Sequence, residues 1–387
     1  MEEALKTASV QRRVTIGLPT PASATERRFP LTPEGAAMLI ERGFNLLMQR
    51  GAAAGIHFSD DAYRRAGVEL CDRNEALACD IVLHLPALTP ADAGRLRKGA
   101  VLLSLLHLDQ QDPMALRMLL KRHIIAIALD LVSDEDGNLP FADILREIDG
   151  RAAMAIASSL LADNEHGKGI LLGGIAGIVP CEVTVIGSDI AARSAARSAL
   201  GLGAVVRMFD NDVYRLRAAL HELGHSNVIG SALHPRVFAG ALRTADIVIA
   251  TPIRNPLEIG TDVVAEMKRG VIAFDLTNSP QSPFFPSLEC IDLAMARPAD
   301  VGPGDAVRTC YVNAGSAVPR TAAMALSTTL LTLFEDIVVC DGVTNALRLN
   351  NGLRRAAYTF LGKPVHPEIA RRAGVRLIDI NLFLNFS

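Results

Sequence analysis

The sequence contains no tryptophan, and aromatic residues make up only 4% of its 387 residues. It also lacks an excess of positive charge, because 39 lysines and arginines face 42 aspartates and glutamates, for a net charge of −3. This balance argues against a nucleic-acid partner, since phosphate backbones are bound by basic surfaces. No uninterrupted apolar run reaches the roughly 18 residues of a membrane-spanning helix, and the first residues lack a signal-peptide stretch. We therefore expect a cytoplasmic protein with no membrane partner.

Metal-binding patterns are also missing. None of the six cysteines forms a CxxC pair, and their spacing fits no zinc motif, so we expect reduced and mostly buried thiols. His221 and His225 lie four residues apart on a predicted helix but have no obvious third ligand, so they are interpreted as a solvated helix end. The sequence therefore predicts no metal site.

Half of the residues are hydrophobic, and many of them fall in short runs separated by segments of helical length. Such continuous apolar runs are typical of parallel strands that are buried on both faces of a sheet. The length suggests two or three domains. The predicted strands are the runs at 14–18, 44–49, 80–85, 100–106, 124–130, 183–187, 204–210, 246–252 and 271–276.

Two long helical segments divide the alternating pattern. One covers about 141–163, and the other begins near Pro319, a residue that suits a first helical turn. The sequence predicts a domain of residues 1–140 plus 320–387, with a second domain of residues 141–319 inserted into it. The predicted fold class is α/β, with two doubly wound, Rossmann-like parallel-sheet domains and a cleft between them. The C-terminal segment NNGLRRAAYTFLG is interpreted as a packed helix.

The segment from 183 to 210 resembles a dinucleotide-binding unit. A strand ends at Gly187, a helix follows, and the next strand ends at Asp210, 23 residues after Gly187. An acidic residue at that distance binds ribose hydroxyls in such units, and it favours NAD over NADP because a 2′-phosphate would meet a carboxylate. A purely structural βαβ unit is the alternative interpretation.

The glycine fingerprint of this unit is incomplete. The first glycine is Gly187 and the last position is Ala192, but Asp189 stands where a second glycine lets the backbone approach the pyrophosphate. A carboxylate about 4 Å from a like charge is repelled by roughly 4 kcal/mol at an effective dielectric near 20. The expectation of NAD binding is therefore weakened, unless the Asp189 side chain points away. Two interpretations of Arg193 and Arg197 on the following helix are open. They are either surface residues, or their positive charges offset Asp189 near a phosphate.

Several segments together resemble the alanine dehydrogenase family, whose superfamily includes the alpha subunit of nicotinamide nucleotide transhydrogenase. The similarity covers nearly the whole chain, and each segment alone would be weak. The segments are ERRFPLTPEGAAMLIERG, LLHLDQQ at 105–111, GKGILLGGIAGIVPCEVTVIG, NAGSAVPRTAAMALS at 313–327, and the tail from NNGLRR onward.

The resemblance implies an NAD-linked interconversion of an L-amino acid and its 2-oxo acid, carried out by a homo-oligomer. It places the carboxylate-binding arginine at Arg28 and the acid/base histidine at His107, which follows a predicted strand. It also places Thr277, Asn278 and Asn313 near the nicotinamide, with Asn313 binding substrate and with His84 and Asn278 shaping the amino or oxo end. Arginine suits a carboxylate because its planar fork binds both oxygens.

Other positions depart from the family pattern at the expected active site. The substrate-binding lysine is replaced by His84, which is mostly neutral at pH 7, and the active-site aspartate is replaced by Asn278, which cannot act as a base. Arg146 stands where the family tends to have a small polar residue. Two hypotheses remain open: an oxidoreductase with a changed substrate, or a relative that has lost hydride transfer and uses a new substrate or acts as a ligand-binding or assembly protein.

Overall fold

A computed structural model describes residues 13–21, 26–255, 257–277, 279, 282–302 and 308–384. The chain divides into two compact units, which we call unit 1 and unit 2. Unit 1 is drawn from residues 1–22, 29–137 and 327–387, and unit 2 from residues 23–28 and 138–326. Compared with the predicted domains, the second boundary falls inside the long helix after Pro319, and the segment that contains Arg28 groups with unit 2.

The described residues form fifteen strands and fifteen α-helices. The strands are β1 (Thr15–Leu18), β2 (Asn45–Gln49), β3 (Glu69–Cys71), β4 (Ile81–Leu83), β5 (Val101–Ser104), β6 (Ile125–Ala128), β7 (Glu182–Ile186), β8 (Val205–Phe209), β9 (Val228–Ser231), β10 (Ile247–Ala250), β11 (Ile272–Asp275), β12 (Cys290–Asp292), β13 (Thr309–Val312), β14 (Ala357–Phe360) and β15 (Lys363–Pro364). The helices are α1 (Pro33–Glu41), α2 (Asp60–Arg65), α3 (Arg73–Leu77), α4 (Pro90–Arg95), α5 (Pro113–Lys121), α6 (Pro140–Ala162), α7 (Ile190–Gly201), α8 (Val213–Leu223), α9 (Pro235–Thr244), α10 (Thr261–Glu266), α11 (Pro319–Val339), α12 (Val343–Leu349), α13 (Asn351–Ala356), α14 (Pro367–Ala373) and α15 (Asn381–Leu384).

Unit 1 contains a sheet of eight strands in the order β3-β2-β1-β4-β5-β6-β14-β15. The first six run parallel, and β14 pairs antiparallel with β6. The strand order reverses direction between β1 and β4. In open α/β sheets, ligands bind beyond the carboxyl ends of the strands at such a switch point.

Unit 2 contains a parallel sheet of seven strands in the order β12-β13-β11-β10-β7-β8-β9. Its switch point lies between β7 and β10, whose residues Ile186 and Ala250 are directly paired. Buried aliphatic side chains on both faces explain why these strands appear as continuous apolar runs in the sequence. The predicted α/β class with two doubly wound sheets is confirmed.

The segment NNGLRRAAYTFLG differs from its prediction as a packed helix. Only its first part is helical, as α13, and the chain then forms β14. Two hydroxyl groups hold this strand in unit 1: Tyr358 shares a 2.9 Å hydrogen bond with Ser104, and Thr359 donates to the carbonyl of Ile124. The strand depends on a distant partner, β6, which local sequence patterns do not reveal.

Helix α11 is long and apolar enough to cross a membrane by length and composition alone, which the search for uninterrupted apolar runs missed. Its buried residues recur at helical spacing along one stripe, and Phe334 packs edge-to-face on Phe44 with ring centroids 5.2 Å apart. Because core helices pass the same length and composition test, this helix is weak evidence for a membrane span.

A cavity of about 820 Å³ lies at the amino ends of the strands of unit 1. Its wall includes Phe44, Lys98, Ala100 and Ile125, which precede or begin strands. No predicted site residue lines it, because those residues follow the carboxyl ends of strands. Its size alone therefore does not mark the predicted site.

In unit 2, α6 packs against α7 with very close backbones. A side chain at Gly150 of α6 would overlap the carbonyl of Ala191 and crowd the amide of Ala195. The facing residues of α7 are also small, and Ala191 and Ala195 are buried. This contact fixes the start of α7, where the loop after β7 arrives.

We predict opposite effects for two glycine-to-alanine substitutions within helices of unit 2. Gly150→Ala should lower the free energy of unfolding by about 1–3 kcal/mol, because the methyl group overpacks against backbone atoms. Gly240→Ala in α9, where an added methyl group meets open space, should raise it by up to about 1 kcal/mol through helix propensity. Urea denaturation measures both, and equal effects would contradict the close α6–α7 contact.

Candidate functional site

The loop after β7 makes a tight turn that requires a glycine. Gly187 has a φ of +102°, and a side chain there would overlap the hydroxyl group of Thr251. Thr251 follows β10 and is held by a 3.1 Å hydrogen bond to the carbonyl of Ile186. The turn therefore lies at the switch point of unit 2, where the dinucleotide prediction placed it.

Asp189 caps helix α7 with its own carboxylate. Its backbone is extended, so no glycine is needed at this position, and its Oδ1 accepts a 3.0 Å hydrogen bond from the backbone N–H of Ala192. The start of a helix carries partial positive charge and unpaired N–H groups, and phosphates bind there in dinucleotide folds. The side chain thus does not point away: a negative group of the protein lies where a phosphate would bind.

Neither nearby arginine neutralises Asp189 by direct pairing. Arg193 and Arg197 both pair with Glu222 of α8, at 2.5 and 2.8 Å. Of the two predicted roles for these arginines, surface pairing fits their contacts in unit 2.

Asp210 follows β8 and is almost fully buried. Its Oδ1 accepts a 2.8 Å hydrogen bond from the backbone N–H of Asp212, and its Oδ2 accepts from the hydroxyl of Ser188. Each carboxylate oxygen can accept more than one hydrogen bond. Asp210 therefore has the charge and a fixed orientation that suit a pair of hydroxyl groups.

Thr277 and Asn313 also follow strands at this edge of unit 2. The backbone N–H and the hydroxyl of Thr277 donate to Asp275 Oδ1, at 2.8 and 2.5 Å. Asn313 has a left-handed backbone, and its Nδ2 donates to Asp292 at 2.9 Å. Asn278, the predicted replacement for the family aspartate, lies outside the described residues.

Arg28 is buried and already paired within unit 2. Its Nε and Nη2 donate to the two carboxylate oxygens of Glu26, at 2.8 and 2.6 Å. This bidentate pair has the geometry that the prediction assigned to Arg28 and a substrate carboxylate. A ligand carboxylate would therefore approach another edge of the guanidinium group or displace Glu26.

A further buried carboxylate, Asp149, was not predicted. It lies on α6 and accepts a hydrogen bond from the backbone N–H of Gly315, where a side chain would overlap its Oδ1. Burial raises its pKa to about 6, and Arg28 opposes that shift, while Glu26 and Asp189 add to it. Asp149 interrupts an otherwise apolar face of α6, between Ile148 and the buried Ala152. This interruption is the sequence signal that would have identified it.

In unit 1, His84 directly follows β4 and is 1% exposed. Its Nδ1 lies 2.9 Å from the carbonyl oxygen of Pro86, so Nδ1 carries the proton, because a carbonyl can only accept. Nε2 is buried and has no partner within hydrogen-bond distance among the described residues, although the carbonyl of Thr20 lies near enough to the ring to favour its charged form. A neutral imidazole with this tautomer presents an unused acceptor at Nε2.

Burial, with a smaller contribution from the nearby Arg73, lowers the pKa of His84 to about 4. The carbonyls of Pro86 and Thr20 and the carboxylate of Asp92 favour the charged form but do not outweigh burial. The ring is therefore neutral at pH 7, as the sequence indicated for a histidine in place of lysine. Arg73 itself pairs with Asp92 at 2.8 Å.

His107 follows β5, the strand next to β4, and has an unusual left-handed backbone with a φ of +38°. The loop around it is held by Leu106, whose N–H donates to Asp130 at 2.7 Å, and by Gln111, whose side chain donates to the Leu106 carbonyl. Strained backbone held by its surroundings is frequent at functional sites. His84 and His107 thus follow neighbouring strands at one edge of unit 1.

The predicted site residues therefore fall into two groups. Within unit 2, the sheet edge brings together the turn at Gly187, the cap at Asp189 and Ala192, the buried Asp210, and Thr277 and Asn313. Within unit 1, it brings together His84 and His107. Among the described residues, no cluster of histidine, cysteine, aspartate or glutamate has the arrangement of a metal site.

Comparisons with known proteins point to the same family for the N-terminal and the C-terminal parts of the chain. Residues 17–147 match the model of the alanine dehydrogenase/PNT N-terminal domain, and residues 153–367 match that of the C-terminal domain. The chain is 30% identical over 370 residues to alanine dehydrogenase of Bacillus subtilis, covering 94% of this chain and 96% of that protein. The identity to alanine dehydrogenase of Mycobacterium tuberculosis is also 30% over 370 residues, covering 93% and 97%.

Solved structures with a similar fold also match nearly the whole chain. An L-alanine dehydrogenase matches with a TM-score of 0.79 and 25% identity, covering 93% of this chain and 99% of that one. A transhydrogenase from Sinorhizobium meliloti shares the fold, with a TM-score of 0.73 and 19% identity over 91% of this chain and 100% of that chain. These relatives support an alanine dehydrogenase-like oxidoreductase. Because the two family models together cover most of the sequence, the chain belongs to the alanine dehydrogenase/PNT family.

Proposed function

We propose that this protein is an NAD-linked oxidoreductase that interconverts an L-amino acid and its 2-oxo acid. The observation that carries the proposal is the unit β7-loop-α7-β8, in which Gly187 makes the tight turn and Asp210 presents a buried carboxylate. We assign cofactor binding to residues 141–319 and substrate binding to residues 1–140 plus 320–387.

The residues of unit 2 fit part of a dinucleotide. Asp210 suits the ribose hydroxyls and disfavours a 2′-phosphate, which selects NAD over NADP. Gly187 and Ala192 allow the close turn. Thr277, which follows β11, is assigned to contact with the nicotinamide. Asp189 fits poorly, because its carboxylate already accepts a hydrogen bond from one N–H group of the α7 terminus and repels a pyrophosphate. Bound NAD would supply the hydride acceptor, but the Asp189 carboxylate would reduce the affinity of the protein for NAD.

The proposed substrate-site residues have two kinds of role: binding the substrate's charged group and transferring a proton. Arg28 binds the carboxylate, in competition with Glu26, and His107 exchanges the proton that accompanies hydride transfer. Asn278 and His84 shape the amino or oxo end, and Asn313 also binds substrate. His84 offers a neutral acceptor at Nε2, which suits an N–H or O–H donor of the ligand rather than a second contact to its carboxylate.

We also propose that the protein acts as a cytoplasmic homo-oligomer. Leu171, Ile175, Ile178 and Val179 of the loop before β7 are all largely exposed in the described chain. Clustered exposed apolar residues often mark protein interfaces. Light scattering of the purified protein tests the assembly.

The first prediction concerns turnover. Purified protein should oxidise NADH in the presence of ammonium and one member of a panel of 2-oxo acids. His107→Asn should lower kcat by about 10²–10⁴-fold, because the acid/base group is lost while asparagine tolerates the left-handed backbone. His57→Asn is the matched control, since His57 is also in unit 1 with a φ of +57°. Wild-type kcat in the His107 variant would exclude the assigned role.

The second prediction concerns the charge at the start of α7. Asp189→Asn keeps a capping oxygen but removes the negative charge, so NADH should bind about tenfold more tightly, or about 1.4 kcal/mol. Asp112→Asn, at the cap of α5 in unit 1, is the control that should leave the affinity unchanged. Calorimetry measures the dissociation constants.

Absence of NADH binding in the wild type and in Asp189→Asn would contradict the proposed cofactor. That outcome would favour the alternative, in which the protein has lost hydride transfer and uses a new substrate or acts as a ligand-binding or assembly protein.

The third prediction concerns pH. His84 binds a proton near pH 6.5 when unfolded but only near pH 4 when folded, so its stabilising effect is complete above pH 6.5 and is lost as the pH falls through 4. Between about pH 7 and about pH 4, wild type should lose up to about 3 kcal/mol more unfolding free energy than His84→Asn. His225→Asn, at an exposed histidine, should follow the wild-type profile. Urea denaturation measures the unfolding free energy at each pH. If it changed with pH in the same way in wild type and His84→Asn, a buried neutral His84 would be contradicted.

A further inference from the structure

Two cysteines face each other on neighbouring strands of unit 2. Cys290 begins β12, Cys310 lies in β13, and the two residues are directly paired in the parallel register. Paired residues on parallel strands point to the same face of the sheet, and the strands lie about 4.8 Å apart. Disulfides form across Cα separations of about 4.4–6.8 Å, so the backbone already permits a bond between these residues.

The two thiols differ in exposure and in charge. Cys290 is partly exposed, whereas Cys310 is fully buried. Hydrogen bonds from the Cys310 thiol and from the backbone N–H of Ser282 stabilise a thiolate at Cys290 and lower its pKa to about 6, although burial and Asp275 oppose this. The same pairing, together with burial, raises the pKa of Cys310, which therefore remains a thiol at neutral pH.

The remaining thiols do not share this arrangement. Burial raises the pKa of Cys71 to about 12 and the pKa values of Cys79 and Cys181 to about 11. Only a thiolate attacks disulfides and other electrophiles efficiently. Cys290 therefore combines access, ionisation and an adjacent second thiol.

We propose that Cys290 and Cys310 form a reversible dithiol/disulfide site that reacts with low-molecular-weight disulfides. The Cys290 thiolate attacks one sulfur of the small disulfide, which forms a mixed disulfide and releases one small thiolate. Cys310 then loses its proton to solvent and attacks the Cys290 sulfur, which expels the second small thiolate. The two protein thiols are oxidised to one disulfide, and one small disulfide is reduced to two thiols.

The site is connected by hydrogen bonds to the predicted cofactor edge. Ser282 donates its N–H to Cys290 and its hydroxyl to Asp275, and the other oxygen of Asp275 accepts from Thr277. Oxidation removes the thiolate that Ser282 contacts, so it changes one end of this network. The disulfide chemistry itself does not depend on NAD binding or on hydride transfer.

Oxidation of the reduced full-length protein tests the proposal. After incubation with glutathione disulfide at neutral pH and trapping with N-ethylmaleimide, two of the six thiols should be lost. Peptide mapping should link Cys290 to Cys310, and dithiothreitol should restore both thiols. Six free thiols, glutathione retained on Cys290, or a link between other cysteines would each overturn the proposal.

Variants separate the two steps. Cys290→Ser should retain five free thiols, because the attacking thiolate is gone, and Cys310→Ala should trap glutathione on Cys290. Cys340→Ser, at the other partly exposed cysteine, should still form the Cys290–Cys310 bond. The wild-type peptide map needs no substitution, so it decides the question even if the buried Cys310 variant does not fold.

Discussion

The close backbone contact between α6 and α7 is the constraint on which unit 2 depends. It exists because Gly150 has no side chain and because the facing residues Ala191 and Ala195 are small. The contact sets where α7 begins, and hence where the loop after β7 turns at Gly187. The residue before Gly150 on α6 is Asp149, a buried carboxylate that accepts a hydrogen bond from the backbone N–H of Gly315.

The charge around this loop is more negative than a phosphate site favours. Glu26, Asp149 and Asp189 all influence the same buried region, and Arg28 is their main positive counterpart. At the helix terminus, which ordinarily attracts a pyrophosphate, the carboxylate of Asp189 already accepts a hydrogen bond from one of the N–H groups. Binding of a dinucleotide would then rely on the ribose contact at Asp210 and on apolar contacts, more than on the phosphates.

The sequence allowed most of the sheet cores to be predicted, because strands such as β5, β7 and β10 are buried on both faces and form continuous apolar runs. It did not reveal six short strands at or next to the sheet edges, where partners distant in the chain stabilise them: β3, β9, β12, β13, β14 and β15. For the candidate site, strand ends and spacing pointed to Gly187 and Asp210, whereas the family resemblance pointed to the two histidines. Spacing could not reveal that Glu26 pairs with Arg28, since such contacts depend on side-chain placement in three dimensions.

The replacement of a lysine by His84 has a specific consequence under the proposed function. A lysine in this buried position would bring a permanent charge, whereas His84 directs its only proton to Pro86 and remains neutral. Its free Nε2 lone pair gains a hydrogen bond only from a ligand N–H or O–H, and a carboxylate or carbonyl oxygen placed there would leave both groups unsatisfied. The amino acid carries such a donor on its ammonium group and the 2-oxo acid does not. If the amino or oxo group of the proposed substrate lies at Nε2, His84 would favour binding of the amino acid over the 2-oxo acid, and a lysine, as a donor, would reverse that preference.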